Sequence, residues 1–377
     1  MLLNMPHKYK IIVSSNSAWN VYNFRKCIIL KLINAGFEVV VVSPFDEYAS
    51  KLCKFGCKYV NVSIDNSGVN IINDLYLIFQ YLKIFFKIKP NAVLSYTAKP
   101  NIYGSIAASV YSIPVVNNVS GLGTAFIRGG VLGGVVSFLY KISLVKSKCV
   151  FFQNSDDRDL FLRKNLVTEG RVDILPGSGI DLKYYKVLNI DNGADFIFLL
   201  VSRLIWDKGV QEYVDAARLI RKNSPNIRFQ ILGFLDVDNK TAISKFNVDN
   251  WVQEGVVEYL GCADDVRPFM QKSNCIVLPS YREGMPKTLL EAAAMGKPII
   301  TTDVEGCRDV VDNKVNGYLC NARDAYDLAK KIEIMLKMDP KDIKKMGLKG
   351  RDKMEKEFDE KIVIDKYMSV VDKIIGQ

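Results

Sequence analysis

The stretch EGMPKTLLE has Glu283 and Glu291 at its two ends, with Gly284, Met285 and Pro286 directly after the first acid. An apolar run, CIVLPS (275–280), precedes it and reads as a buried strand ending in a loop. Pro286 suits the first position of a helix, where its missing N–H costs nothing. Gly284 lets the backbone come close to a ligand. Glu283, in the loop, is placed to accept hydrogen bonds from sugar hydroxyls. Glu291, more than a turn into the helix, is placed to take a bidentate pair of ribose hydroxyls. Each acid also has a plainer role open to it. Glu291 sits four residues after Lys287, an i,i+4 pair worth about 0.2–0.5 kcal/mol, and Glu283 suits a solvated loop.

A second stretch, SRLIWDKGVQE (202–212), carries Arg203 and Lys208 on either side of a turn that opens a helix. Arginine grips two oxygens at once and lysine adds a point charge, so the pair forms a diphosphate clamp. Surface pairing with Asp207 and Glu212 is the simpler reading of the same residues.

Such loops need strands to hold them. KIIVSS (10–15), FEVVVVS (37–43), YVNVS (59–63), AVLSY (92–96), PVVNNV (114–119) and CVFF (149–152) alternate with helical patterns. After PGSGID (176–181) and the polar stretch 188–195, the pattern restarts. FIFLLVSR (196–203), IRFQILG (227–233), VEYLG (257–261), CIVLPS and PIITTD (298–303) follow. Short β-branched runs alternating with helices imply parallel sheets covered on both faces. The chain therefore reads as α/β with two doubly wound domains, 1–190 and 191–356, and a helical tail, 357–377. Ligands in such sheets bind beyond the carboxyl ends of the strands. The loop after the first strand, SSNSAWN, lacks the GxGxxG of a dinucleotide fold. Asn16 and its serine neighbours can still meet an anion at a helix start.

The 377 residues are ample for two domains. Net charge is +10, and it is uneven. Residues 1–190 hold 22 Lys+Arg against 11 Asp+Glu, whereas residues 191–377 hold 29 against 30. A basic half points to an anionic partner. Helix-turn-helix, zinc and RNA-binding signatures are missing, which disfavours nucleic acid. Eight cysteines without a CxxC pair, and His7 as the only histidine, argue against a zinc site and for a reducing cytoplasm. The first residues, MLLNMPHKYK, lack the apolar core of a signal peptide. Two apolar segments with basic ends, 75–89 and 131–148, read either as core helices or as helices in a membrane interface. Lys83, Lys87, Lys89, Arg128, Lys141, Lys146 and Lys148 are the cations of that second reading.

The segment 279–319, PSYREGMPKTLLEAAAMGKPIITTDVEGCRDVVDNKVNGYL, resembles the signature of family-4 retaining glycosyltransferases of the GT-B fold. VSRLIWDKG, PGSGID and the strand–helix alternation extend the resemblance over essentially the whole chain. It implies two Rossmann-like domains facing across a cleft, with the C-terminal helix crossing back to the N-terminal domain. It implies that Arg203 and Lys208 bind the donor diphosphate and Glu291 the ribose. Glu283, with Gly284, Met285 and Pro286, would hold the transferred sugar. Gly261 joins the donor set, and the EGCRD segment (305–309) closes near phosphate or sugar. YTAKPNIYG (96–104) and VSGLGTAF (119–126) look most like bacterial enzymes extending undecaprenyl-diphosphate-linked glycans from UDP-N-acetylhexosamines, N-acetylgalactosamine favoured. Asn16, Lys99, Asn101, Gly121 and Gly123 are then the acceptor or sugar contacts. Many family members carry a histidine near the end of the fourth strand, where this chain has Lys99 and Asn101 instead.

The implied reaction is metal-independent, with no cofactor beyond the donor substrate, because Arg203 and Lys208 supply the charge a metal would bring. No residue presents itself as a covalent nucleophile, so a front-face route is expected. The implied setting is the cytoplasmic face of the inner membrane, with peripheral association. A GT-B-fold UDP-sugar epimerase, and a non-catalytic sugar-binding or membrane scaffold, are the rival classes. An epimerase needs titratable groups for proton work and would turn over free UDP-N-acetylhexosamine without an acceptor. Other donors, UDP-N-acetylglucosamine, UDP-galactose or a mannosyl donor, remain open within the transferase class.

Overall fold

In the computed structural model the chain divides into two compact units, Met1–Ser178 with Lys361–Gln377, and Gly179–Glu360. The structure describes residues 9–65, 70–121, 130–188, 195–222, 224, 226–235, 239 and 241–376. Gly123, Arg128 and most of the polar stretch 188–195 lie outside the described residues.

The first unit holds a sheet of seven strands: β1 (Lys10–Ser14), β2 (Glu38–Ser43), β3 (Lys58–Asn61), β4 (Ala92–Tyr96), β5 (Val115–Val119), β6 (Cys149–Phe152) and β7 (Val172–Ile174). Their order is β3-β2-β1-β4-β5-β6-β7, and every pairing is parallel. Helices cover both faces, which explains the unbroken apolar runs in the sequence. Successive side chains point to opposite faces. Ile11, Val13, Val39 and Val41 pack under the helices Ala18–Asn34 and Glu360–Ile375. Ile12, Val40 and Val42 pack on the other side, with Leu77, Tyr81 and Phe85 of the helix Ile71–Ile88.

The second unit holds six strands: β8 (Phe196–Val201), β9 (Ile227–Leu232), β10 (Glu258–Tyr259), β11 (Cys275–Leu278), β12 (Ile299–Thr302) and β13 (Gly317–Cys320). Their order is β10-β9-β8-β11-β12-β13, again all parallel. Each sheet therefore reverses its strand order once, between β1 and β4 and between β8 and β11. That reversal is where a doubly wound sheet leaves a crevice at its carboxyl edge.

The chain enters the second unit at Gly179, ahead of the polar stretch near 190. Ile180 bridges Asp359, and its amide donates to the Phe358 carbonyl at 2.9 Å. Gly179 is left-handed (φ 71°), and a Cβ there would lie 2.4 Å from the Glu360 Cα. The helix Glu360–Ile375 then buries Val363, Tyr367 and Val371 in the first unit's core. Tyr367 accepts from the Asn118 amide at 2.9 Å, and Lys366 pairs with Asp173 at 2.8 Å.

Both apolar segments with basic ends are helices, Ile71–Ile88 and Gly130–Leu144. Asn70 caps the first, accepting from the amides of Ile72 and Asn73, and Lys89 ends it in a left-handed turn (φ 51°). Only one stripe of this helix is buried. Ile72 (77% exposed), Leu75, Phe79 and Phe86 (67%) face outward, as do Val135, Phe138 and Ile142 of the second helix.

Candidate active site

The loops after β8 and β11 lie side by side at the carboxyl edge of the second sheet, and glycines make their contact possible. Gly209 is left-handed (φ 70°), and a Cβ there would lie 2.0 Å from the Pro279 carbonyl oxygen. The Tyr281 amide donates to the Asp207 carbonyl at 2.9 Å, stitching one loop to the other. The Asp207 carboxylate accepts from Thr241 Oγ1 at 2.6 Å. Tyr281 donates its hydroxyl to Glu212 at 2.8 Å. Burial first, and the Glu212 carboxylate second, push that phenol above its ordinary range and keep it a donor.

Across this junction the Lys208 ammonium pairs directly with Glu283 Oε1, and Ser280 Oγ donates to the same oxygen at 2.7 Å. The two charged side chains are only 17% and 12% exposed. Arg203, five residues before Lys208, is exposed, and its guanidinium has no partner among the described residues. The loop thus holds one cation fixed against a carboxylate and one open to a ligand.

The EGMP loop rests on EGCRD. Gly306 is left-handed (φ 75°), and a Cβ there would lie 2.5 Å from the Gly284 oxygen and 2.7 Å from that of Glu283. The Glu283 amide donates to the Glu305 carbonyl at 3.3 Å. Cys307, buried beneath, has its thiol pushed up to about 12, by burial first and the Glu283 carboxylate second. It stays protonated and is no nucleophile.

Pro286 differs from its expected position by one residue. It is the N-cap of the helix Lys287–Ala294, not its first helical residue, and its carbonyl accepts from the Leu289 amide at 3.0 Å. Pro286 is buried and Met285 packs on the core, so both fix the loop. Glu291 is 7% exposed on the inner side of this helix. Its Oε1 accepts from the Tyr185 hydroxyl at 2.6 Å and lies 3.5 Å from Lys287 Nζ. The i,i+4 pair is therefore real, and it orients the acid. Oε2 has no partner among the described residues. Burial, then Glu291, raise the Tyr185 hydroxyl's pKa, which keeps it a donor. Gly261 is left-handed (φ 78°) after β10, and its carbonyl accepts from the Gly233 amide at 2.8 Å.

In the first unit, Asn16, Lys99 and Gly121 follow β1, β4 and β5, three adjacent strands, so their loops share one edge. Lys99 is committed to Asp74 at 2.7 Å, and Asp74 also accepts from the Tyr103 hydroxyl at 2.8 Å. Asn101 is fully buried. Its amide donates to the Asn118 carbonyl at 2.8 Å, and its side-chain oxygen accepts from Asn117 at 3.1 Å. These bonds brace β5 and bury Asn101 beside the edge. Asn101 lies in the π-helical turn Pro100–Gly104 that follows β4.

Residues 10–154 match the family described as glycosyl transferase 4-like, and residues 186–353 match glycosyl transferases group 1. The chain is a glycosyltransferase. It is 29% identical over 380 residues to an N,N'-diacetylbacillosaminyl-diphospho-undecaprenol alpha-1,3-N-acetylgalactosaminyltransferase of Campylobacter jejuni, covering 96% of this chain and 98% of that one. It is 26% identical to an Escherichia coli UDP-Gal:alpha-D-GlcNAc-diphosphoundecaprenol alpha-1,3-galactosyltransferase, over 68% of this chain and 69% of that one. Among solved structures, a sucrose-phosphate synthase of Thermosynechococcus elongatus superposes with a TM-score of 0.81 at 18% identity, covering 98% of this chain and all of that one. An Anabaena protein solved with UDP-glucose superposes with a TM-score of 0.78 at 16% identity, over 98% of this chain and 100% of that one. The transferase has the GT-B fold.

Several supports of the transferase's site were not singled out from sequence. Ser280, Tyr185, Gly209 and Gly306 each hold a named residue or let two loops meet. The glycines were visible as turn residues in DKG and EGC, but only the fold shows which carbonyl each must clear. Tyr185 lies 106 positions from Glu291, so no local pattern joins them.

Proposed function

We propose that this transferase moves a sugar, N-acetylgalactosamine in the favoured case, from a UDP donor to an undecaprenyl-diphosphate-linked saccharide, with retention and without a metal. The observation that carries the reading is the convergence of Arg203, Lys208, Glu283 and Glu291 at the carboxyl edge of one sheet. The similarity to the Campylobacter enzyme along nearly the whole length supports the donor and acceptor classes.

In this reading the exposed Arg203 closes on the diphosphate, and Lys208 turns part of its charge from Glu283 to the leaving phosphate. Glu291 offers its open oxygen to the ribose while Tyr185 and Lys287 hold the other. Glu283, steadied by Ser280, orients the transferred sugar. The acceptor hydroxyl attacks the anomeric carbon on the side the UDP leaves, and its proton passes to the departing phosphate. The electrostatic work falls to cations already in place before the donor arrives.

The acceptor's lipid tail stays in the bilayer, so the enzyme works at the cytoplasmic face of the inner membrane and associates peripherally. The outward apolar stripes of the helices Ile71–Ile88 and Gly130–Leu144, bordered by Lys83, Lys87 and Lys141, support that setting. Among the described residues no helix is long and apolar enough to cross a membrane. The test is a panel of radiolabelled UDP-GalNAc, UDP-GlcNAc, UDP-Gal and GDP-Man against lipid-diphosphate-linked sugars, with the anomer of the product read by NMR. Transfer from UDP-GalNAc with an α product is expected. A β product overturns retention, and preference for another donor overturns the sugar assignment.

A further inference from the structure

At the amino ends of β5 and β6, the end of the sheet away from Asn16 and Lys99, the first unit carries a cavity of about 220 Å³. Five serines and two lysines, Lys146 and Lys148, are among its lining residues, and no aspartate or glutamate is. Ser109 and Ser143 donate to carbonyls one turn back, Ile106 at 2.7 Å and Tyr140 at 3.0 Å. These are local bonds from which a hydroxyl can swing to a better acceptor. Ser112 is exposed in a left-handed conformation (φ 54°), and its hydroxyl has no partner among the described residues. Both lysines are exposed at the surface, and Lys146 Nζ donates to the Ser109 carbonyl at 3.5 Å. A third cation, Arg171, lies close by, donating to the Val145 carbonyl.

The rim is apolar. Val110 (65% exposed) and Tyr111 directly precede Ser112, and Val145 (60%) directly precedes Lys146. Phe86, at the end of the helix Ile71–Ile88, stands 6.5 Å from Tyr111, ring to ring. The cavity therefore opens at the edge of the same outward apolar stripes, with cations and hydroxyls inside and hydrocarbon around it. Its volume is below the roughly 300–1,000 Å³ of a drug-sized site, too small for acyl chains and adequate for a headgroup.

We propose that this cavity binds the phosphate of an anionic phospholipid headgroup, taken from the bilayer on which the apolar stripes rest. The lysine ammoniums hold the charge and the Ser109, Ser112 and Ser143 hydroxyls donate to the phosphate oxygens, while Ser105 and Ser147, tied to Asn117 at 2.8 and 2.6 Å, form the fixed floor. The site gives the enzyme a fixed point on the membrane, distinct from its substrate loops. It deepens the peripheral-membrane reading and rests on it.

The test uses the full chain and three kinds of vesicle: phosphatidylcholine alone, phosphatidylcholine with phosphatidylglycerol, and phosphatidylcholine with a carboxylate-bearing anionic lipid at equal surface charge. The parent is expected to bind the phosphatidylglycerol vesicles more tightly than the carboxylate ones. Lys146→Ala/Lys148→Ala is expected to lose affinity for phosphatidylglycerol vesicles by about thirty-fold, the effect of two cations near an anionic surface, and to lose the preference. Lys87→Ala/Lys89→Ala removes equal charge outside the cavity and should keep the preference. Equal binding to both anionic vesicles, or a preference that survives in Lys146→Ala/Lys148→Ala, overturns the headgroup site while leaving peripheral binding intact. A parent that binds no vesicle overturns the membrane reading and this one together. Shifts of the Ser147 and Lys148 amides with glycerol phosphate in that case would assign the cavity to a free phosphate.

Discussion

Replacing Lys208 by methionine removes one half of an ion pair that is almost out of water. With its partner gone, the Glu283 carboxylate, 12% exposed, keeps among the described residues only the 2.7 Å bond from Ser280. Breaking a fully buried pair this way costs about 3–5 kcal/mol. Residual exposure and the serine bring the expected loss nearer the roughly 1.5–3 kcal/mol of a lost charged hydrogen bond. Glu283→Gln leaves the ammonium without its counter-charge, and a similar loss follows. The double variant Lys208→Met/Glu283→Gln removes both charges, so most of the stability should return. Binding behaves differently. Lys208→Met and the double variant should each lose UDP affinity by roughly ten- to hundredfold, whereas Glu283→Gln should bind UDP nearly as the parent does. Denaturant midpoints and UDP calorimetry on the four proteins give the full cycle. A double variant no more stable than Lys208→Met refutes the coupling across the two loops. Parent-like UDP binding by Lys208→Met removes that residue from the diphosphate clamp.

Glu291→Ala should weaken UDP binding, because the ribose stays with UDP, and Glu283→Ala should spare UDP while slowing turnover. Equal losses of UDP affinity in both would sink that division. Tyr185→Phe should weaken UDP binding by a smaller factor than Glu291→Ala, since it frees the acid without removing it; a parent-like isotherm would show that Glu291 needs no orienting. Gly209→Ala should lower the melting temperature markedly, because its Cβ would fall 2.0 Å from the Pro279 carbonyl in a backbone conformation alanine disfavours; an unchanged melting curve would mean the two loops separate freely. Chelation with EDTA should leave transfer at its full rate, and its abolition would reveal a metal requirement.

The interior strands were legible because a parallel sheet buried on both faces demands unbroken apolar runs. KIIVS, EVVVVS, AVLSY and FIFLLV are such runs, and each is a strand. The edge strands β7 and β13 escaped notice. β7 is three residues long with Asp173 at its centre, and β13 opens on Gly317, so neither carries a run of that kind. The acids and cations of the second unit were legible as motifs, because Lys208 and Glu283 each sit beside a glycine at a strand-to-helix turn, and Arg203 and Glu291 lie in the same two stretches. Their pairing was not. That Lys208 meets Glu283, or Tyr185 meets Glu291, depends on which strands are neighbours, and residues 75 and 106 positions apart carry no local sign of it. Nor does the sequence show that Asn101 is buried, since that follows from the π-helical turn Pro100–Gly104.

The central claim is that the edge of the second sheet holds a UDP-sugar whose sugar goes to a lipid-linked acceptor. The most direct measurement is transfer of radiolabelled GalNAc from UDP-GalNAc into the lipid phase, in the presence of a lipid-diphosphate-linked saccharide, by the parent and by Arg203→Ala. Arg203 is the exposed cation with no partner among the described residues, so its loss should leave the fold intact and cut transfer at least about tenfold. Label that stays in the aqueous phase with every UDP-sugar tried, or an Arg203→Ala variant that transfers at the parent's rate, would contradict the account.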